Sequence, residues 1–219
     1  MVPLKLPHDP AAPLKLLCLG AHADDIEIGC GGTLLQLLSA RPNVQVVWVV
    51  FSSAGEREAE ARAGASLFLE RAARQSVSPM KFRDGFFPYQ GERIKECFEA
   101  IKKDACPDPD VIFTHYREDR HQDHRFVSQL TWNTWRDHMI LEYEIMKYDG
   151  DLGRPNFYVP LSEDICRDKI AGLFEAFPSQ AKRQWFDQET FWSLMRLRGV
   201  ECNAPSRLAE AFFVRKVVA

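Results

Sequence analysis

Val44 to Phe51 holds a single polar residue, Gln45, in a run otherwise made of valine, tryptophan and phenylalanine. A half-buried antiparallel strand alternates apolar and polar positions. A run without alternation suits a strand covered on both faces, as in a parallel sheet. Leu14 to Gly20 reads the same way, and Val111 to Thr114 is a shorter candidate.

Helical segments separate these runs. Thr33 to Leu38 has helical character after Gly29, Gly31 and Gly32, and it stops near Arg41-Pro42. Glu56 to Arg74 is rich in Ala, Glu and Arg, which favours helix. Met80 to Phe82 is a short strand candidate before a turn at Asp84-Gly85. Glu92 to Lys103 places Ile94, Cys97, Phe98 and Ile101 at helical spacing. A helix is expected over 124 to 138, and Glu163 to Phe177 and Gln188 to Arg198 also read as helices. Glu142 to Met146, Phe157 to Val159 and Ala211 to Val218 read as further strands.

Strand and helix alternate through the first two thirds. The expected fold is therefore a single α/β domain over 14 to 219, Rossmann-like, with a largely parallel central sheet and helices on both faces. Residues 1 to 13 are Pro-rich and read as a flexible lead-in without the apolar core of a signal peptide.

Bulk properties exclude several partners. A net charge of -3 gives no basic field for nucleic acid. The apolar runs fall far short of the ~20 residues that span a bilayer. The six cysteines, Cys18, Cys30, Cys97, Cys106, Cys166 and Cys202, are scattered without a CxxC pair. That pattern suits reduced thiols in the cytoplasm, and Cys18 and Cys30 read as packing residues.

Polar chemistry concentrates where two of the apolar runs end. His22, Asp24 and Asp25 follow the first strand, and His121, Asp123 and His124 follow the Val111 strand. In open α/β sheets, ligands collect beyond the carboxyl ends of strands. A catalytic metal site needs about three protein ligands from His and carboxylate, plus an open position. His22 and Asp25 can face one ion, and one histidine of the His121/His124 pair completes the set. Two histidines and an aspartate suit zinc, ferrous iron or cobalt. Bound water is then nucleophilic near neutral pH. Asp24 is a spare carboxylate suited to general-base work. The spare histidine, as an imidazolium oriented by Asp123, can hold an oxyanion or protonate a leaving amine. Gly29-Cys30-Gly31-Gly32 lacks the spacing of a dinucleotide loop, and two aspartates beside it would repel a pyrophosphate. The glycines read instead as a turn passing close to the site and beginning the helix.

These motifs resemble those of the PIG-L/LmbE-like metal-dependent N-deacetylases. Ala21-His22-Ala23-Asp24-Asp25 followed by Glu27-Ile28-Gly29-Cys30-Gly31-Gly32 is similar to the family's first signature. His121-Gln122-Asp123-His124 is similar to its second, and Arg57-Glu58-Ala59-Glu60-Ala61 to a weaker third. Ala23 stands where the family usually has proline, so the turn loses a fixed φ but no ligand. Asp119 occupies a position where sugar-thiol deacetylases can carry a tyrosine.

The resemblance implies that His22, Asp25 and His124 bind the metal. By it, Asp24 is the general base, and His121 is the stabiliser and acid, tuned by Asp123. Zinc is the implied metal, with ferrous iron as the alternative. The implied substrate is a small N-acetylglucosamine-type conjugate, and homo-oligomers occur in the family. Arg57 and Asp119 are candidate substrate contacts, with solvated or locally paired charges as the plainer reading. His115 reads as a structural partner near the site. Ser179-Gln180 is a candidate pocket cover, and the tryptophans read as core or rim. Hydrolysis of a non-sugar amide or ester, or metal and glycan binding without turnover, are the competing functions.

Overall fold

The computed structural model describes residues 11–216. Seven strands form one sheet: β1 (Leu14–His22), β2 (Val44–Ser52), β3 (Arg74–Pro79), β4 (Val111–His115), β5 (Ile140–Tyr143), β6 (Phe157–Pro160) and β7 (Ala209–Phe213). Their spatial order is β3-β2-β1-β4-β5-β7-β6. The first five run parallel, with Leu14 opposite Val44 and Leu16 opposite Val111. β7 runs antiparallel to both β5 and β6. The α/β reading with a largely parallel sheet is the observed architecture.

Among the described residues, six α-helices cover both faces: α1 (Asp25–Ala40), α2 (Glu56–Phe68), α3 (Gly91–Ala100), α4 (Gln122–Thr134), α5 (Glu163–Ala176) and α6 (Gln188–Glu201). The pleat sorts β1 between two cores. Leu14, Leu16 and Cys18 join the core beneath α1, α2, α5 and α6. Leu17, Leu19 and Ala21 join Ile94 and Phe98 of α3 and Val127 and Leu130 of α4. Both sides of β1 and β2 are dry, which accounts for their unbroken apolar sequences.

Several expectations need correction. α2 ends at Phe68 rather than Arg74, and the third strand is Arg74–Pro79 rather than Met80 to Phe82. This strand lies at the sheet edge and is at best half-buried, so its polar sequence carries no apolar signal. Helix α4 begins at Gln122, two residues before the expected start.

Gly29, Gly31 and Gly32 lie inside α1, not in a turn before it. They permit close packing. A Cβ on Gly29 would sit 2.2 Å from the Tyr143 ring, and one on Gly31 2.5 Å from the Phe68 ring. Within α1, the Gly32 and Thr33 amides donate to Glu210 of β7, at 2.8 and 2.7 Å. Lys169 of α5 pairs with Glu210 and donates to the Ile28 carbonyl, both at 2.6 Å. The C-terminal third thus clamps the helix that follows the first motif.

The expected lead-in falls largely on residues 1–10, outside the described residues, as do 217–218 of the expected last strand. Among the described residues no helix is long and apolar enough to cross a membrane.

Candidate metal centre and active site

The strand order reverses at β1, with β2 and β3 on one side and β4 and β5 on the other. Such a reversal opens a crevice at the carboxyl ends of the two middle strands. His22 ends β1 and His115 ends β4. Asp25 opens α1, and His124 lies in the first turn of α4. Asp24 joins β1 to α1 with φ 104°. A non-glycine residue held there costs about 1–3 kcal/mol and persists only where its surroundings fix it.

His22 Nδ1 is 3.2 Å from His124 Nε2 and 3.4 Å from Asp25 Oδ2. His124 Nε2 is 3.5 Å from Asp25 Oδ1. Ligands tetrahedrally placed at zinc's usual 2.0–2.1 Å lie about 3.3 Å apart. The two histidine nitrogens lie near that spacing, and each has one oxygen of the Asp25 carboxylate at a similar distance, Oδ2 for His22 and Oδ1 for His124, so the donor chemistry of the cluster fits a divalent ion. Among the described residues, the groups of three whose donor atoms all lie within 4.8 Å of one another are His22, His121 and His124, then Asp25, His115 and His124, then His22, Asp84 and Asp123. The outer members have other engagements. His115 Nε2 accepts from the Ala21 amide at 2.9 Å, and His121 Nδ1 from the Asp123 amide at 3.3 Å. The Asp123 carboxylate accepts from the Gly85 and Phe87 amides, at 2.7 and 3.1 Å.

His22 and His124 are each backed by a carboxylate. Asp119 Oδ2 lies 2.9 Å from His124 Nδ1, and Asp123 Oδ2 lies 3.3 Å from His22 Nε2. Asp84 also approaches His22 Nε2, at 3.0 Å. These contacts leave His124 Nε2 and His22 Nδ1 facing the centre, the usual second layer around a metal histidine.

The charges follow from these contacts. Burial opposes ionisation of Asp25, but His124 and His115 outweigh it and hold the carboxylate well below its ordinary range. Burial also disfavours the His22 cation, yet Asp123, Asp25 and Asp84 raise its pKa well above normal. Burial and the neighbouring His115 push His124 down to about 4. Burial pushes Asp24 up to about 7, against the pull of Arg57 and with the push of Asp25. Arg57 Nη2 lies 3.0 Å from Asp24 Oδ2 and also donates to the Ala23 carbonyl.

Two expectations change here. The Asp123 carboxylate faces His22 and two loop amides, whereas only its backbone amide meets the His121 ring. Burial and the neighbouring His22 lower the pKa of His121, against the opposing pull of Asp25, Asp123 and Asp119. The bond from the Asp123 amide to Nδ1 leaves the proton of neutral His121 on Nε2. Asp119 is buried behind His124 and does not line the cavity, so it is not placed to touch substrate.

The site opens into a cavity of about 840 Å³. His22, Asp24, Asp25, His121 and His124 form part of its wall, and so does Arg57. Ser179 and Gln180 line it as well, as does Trp185, all from the C-terminal third. Tyr148 stands on the rim, 67 % exposed. Trp135 is core, and Trp132 donates to Glu142 at 2.7 Å. Asp84 and Glu60 were not foreseen as parts of the site. The Asp84-Gly85 turn after the third strand, and the three-residue spacing of Arg57 and Glu60, were the available signals.

Comparison with known proteins bears on the family and the fold. Residues 17–135 match the PIG-L family, described as GlcNAc-PI de-N-acetylase. The uncharacterized deacetylase YaiS of Escherichia coli is 30% identical over 167 residues, covering 72% of this chain and 88% of that protein. The conserved protein TT1542 of Thermus thermophilus superposes with a TM-score of 0.74 at 22% identity, covering 94% of this chain and 96% of that one. N,N'-diacetylchitobiose deacetylase of Pyrococcus horikoshii gives a TM-score of 0.71 at 20% identity, covering 92% and 83%. These structural likenesses support the fold, and the match over the residues carrying both motifs identifies the chain as a member of the PIG-L family.

Proposed function

We propose that this chain is a hydrolase that removes the acetyl group from an N-acetylated amino sugar or its conjugate. The reading depends on a divalent metal, zinc first and ferrous iron as the alternative. His22, Asp25 and His124 would hold the ion. The observation that carries the reading is Asp24, a spare carboxylate beside the His22, Asp25 and His124 cluster and open to the cavity. Arg57 holds that carboxylate at 3.0 Å on the cavity wall, where it can accept and return a proton.

When bound, the ion lowers the pKa of water to about 7 and polarises the amide carbonyl. Asp24 takes the proton from the attacking water. Neutral His121, with hydrogen on Nε2, donates to the oxyanion that develops on the carbonyl oxygen. Asp24 then returns its proton to the departing nitrogen, giving acetate and a free amine. Asp119 and Asp123 hold the two histidine rings in orientation. The membership in a family described by de-N-acetylation of GlcNAc-PI supports the amide bond and the sugar class.

Mass spectrometry of zinc-loaded protein with a panel of N-acetylglucosamine conjugates tests the reading. At least one conjugate is expected to yield acetate and the free amine. Folded, metal-loaded protein that deacetylates none of them would contradict it.

A further inference from the structure

Glu60 does not line the cavity, is only 7% exposed, and holds a carboxylate between two segments distant in sequence. Oε2 accepts from Arg57 Nη1 at 2.6 Å and from Ser179 Oγ at 2.8 Å. Oε1 accepts from the Ser179 amide at 2.8 Å. Arg57 Nη1 also reaches Ser179 Oγ at 3.2 Å, and its guanidinium carbon lies 5.6 Å from the Phe177 ring centroid. The other guanidinium nitrogen is the one that meets Asp24 and the Ala23 carbonyl.

Asp24 needs such support. It caps α1, but its side chain makes no capping hydrogen bond, and its φ is 104°. Nothing local fixes the carboxylate. Arg57 is a long side chain with several rotamers, and its planar fork positions Asp24 only if the far side of the fork is itself anchored. Glu60 and Ser179 are that anchor.

We infer that Glu60 is a positioning residue for Asp24, acting through Arg57, with the turn at Ser179 holding Glu60 in place. The inference rests on Asp24 being the base. It gives the C-terminal third a part in the chemistry beyond walling the cavity. A misplacement of about 1 Å in a reacting group costs on the order of 100-fold in rate.

A double-mutant cycle tests this. Glu60→Gln keeps the volume and an acceptor for the Ser179 amide but removes the ion pair. In the otherwise wild-type protein, kcat should fall roughly 10-fold to 100-fold, with KM nearly unchanged and metal content retained. In the Asp24→Asn background, the same change should cost nothing further, because the group it positions is gone. Ser179→Ala, a milder change at a half-buried hydroxyl, should lower kcat in the same direction and guards against misfolding of the Glu60 variant. Trypsin should also cut faster after Lys182 and Arg183 in Glu60→Gln as the turn loosens. Equal losses in both backgrounds, no loss in either, or a loss confined to KM would overturn the role of Glu60 while leaving the deacetylase reading intact. Full activity of Asp24→Asn itself would instead overturn the base, and the inference with it.

Discussion

Asp119 Oδ2 sits 2.9 Å behind His124 Nδ1, so the ring presents Nε2 to the centre of the site. Lys147 pairs with the same carboxylate oxygen at 3.0 Å, and the His121 amide donates to the other at 2.7 Å. The carboxylate is charged: burial opposes this, but His124, His115 and Lys147 lower its pKa. It is fixed on both oxygens and aims the histidine.

Asp119→Asn should therefore weaken zinc binding by roughly 10-fold to 100-fold, the usual cost of losing such a partner. Competition with a chelator measures this. Unchanged affinity would show that His124 does not depend on Asp119 for its orientation.

Asp24→Asn should keep the metal and lose on the order of 10²–10⁴ in kcat. Elemental analysis and steady-state kinetics on the same preparation separate the two effects. A variant that loses metal would mark Asp24 as a ligand, and an active one would remove it as the base.

Glu27 gives a pH-dependent stability. It is 1% exposed, and neither carboxyl oxygen has a hydrogen-bond partner among the described residues. Burial, with Asp24 and Asp25 adding to it, raises its pKa well above normal. The folded carboxyl keeps a proton that the unfolded chain releases near pH ~4.3. Its stabilising contribution is complete below that pH and is lost as pH rises toward the folded value. The metal-free protein should lose stability from Glu27 by at most about 1.4 kcal/mol per pH unit in that window. Glu27→Gln should flatten this slope in denaturant titrations between about pH 5 and 8. An unchanged slope would show that Glu27 is not a buried neutral acid.

Gly29→Ala should reverse the ordinary sign of a helix substitution. Alanine within a helix usually gains about 0.5–1 kcal/mol over glycine. Here the new Cβ would lie 2.2 Å from Tyr143 Cδ2. That ring is tied by its hydroxyl to the Leu19 carbonyl at 2.7 Å and packs 4.8 Å from His115. A loss of about 1–3 kcal/mol is expected from overpacking, read by urea denaturation. A stabilised variant would show that the ring moves aside freely.

The sequence made the parallel core and both motifs legible for one reason: β1, β2 and β4 are buried on both faces, and polar groups stand where they end. The edge strand Arg74–Pro79 was hidden because its solvent-facing residues keep the polarity of a helix surface. The place of the glycines inside α1 is not legible in the sequence because their use is tertiary. Nothing near Gly29 in sequence announces Tyr143, more than a hundred residues away. The partner of the Asp123 carboxylate is hidden for a similar reason. Adjacency to His121 suggested a pair, but the helix turn aims its carboxylate at His22 and the loop after β3. The anchor at Ser179 lies 119 residues from Glu60 and leaves no local pattern.

The central claim is hydrolysis of an N-acetyl amide at the His22, Asp25 and His124 cluster with Asp24 as base. Its most direct measurement is turnover of an N-acetylglucosamine conjugate by zinc-loaded protein in oxygen-18 water, with the products weighed by mass spectrometry. The account predicts label in the acetate and none in the free amino sugar, with turnover lost in Asp24→Asn. Acetate without label, label in the sugar, or no acetyl loss from any conjugate would contradict it.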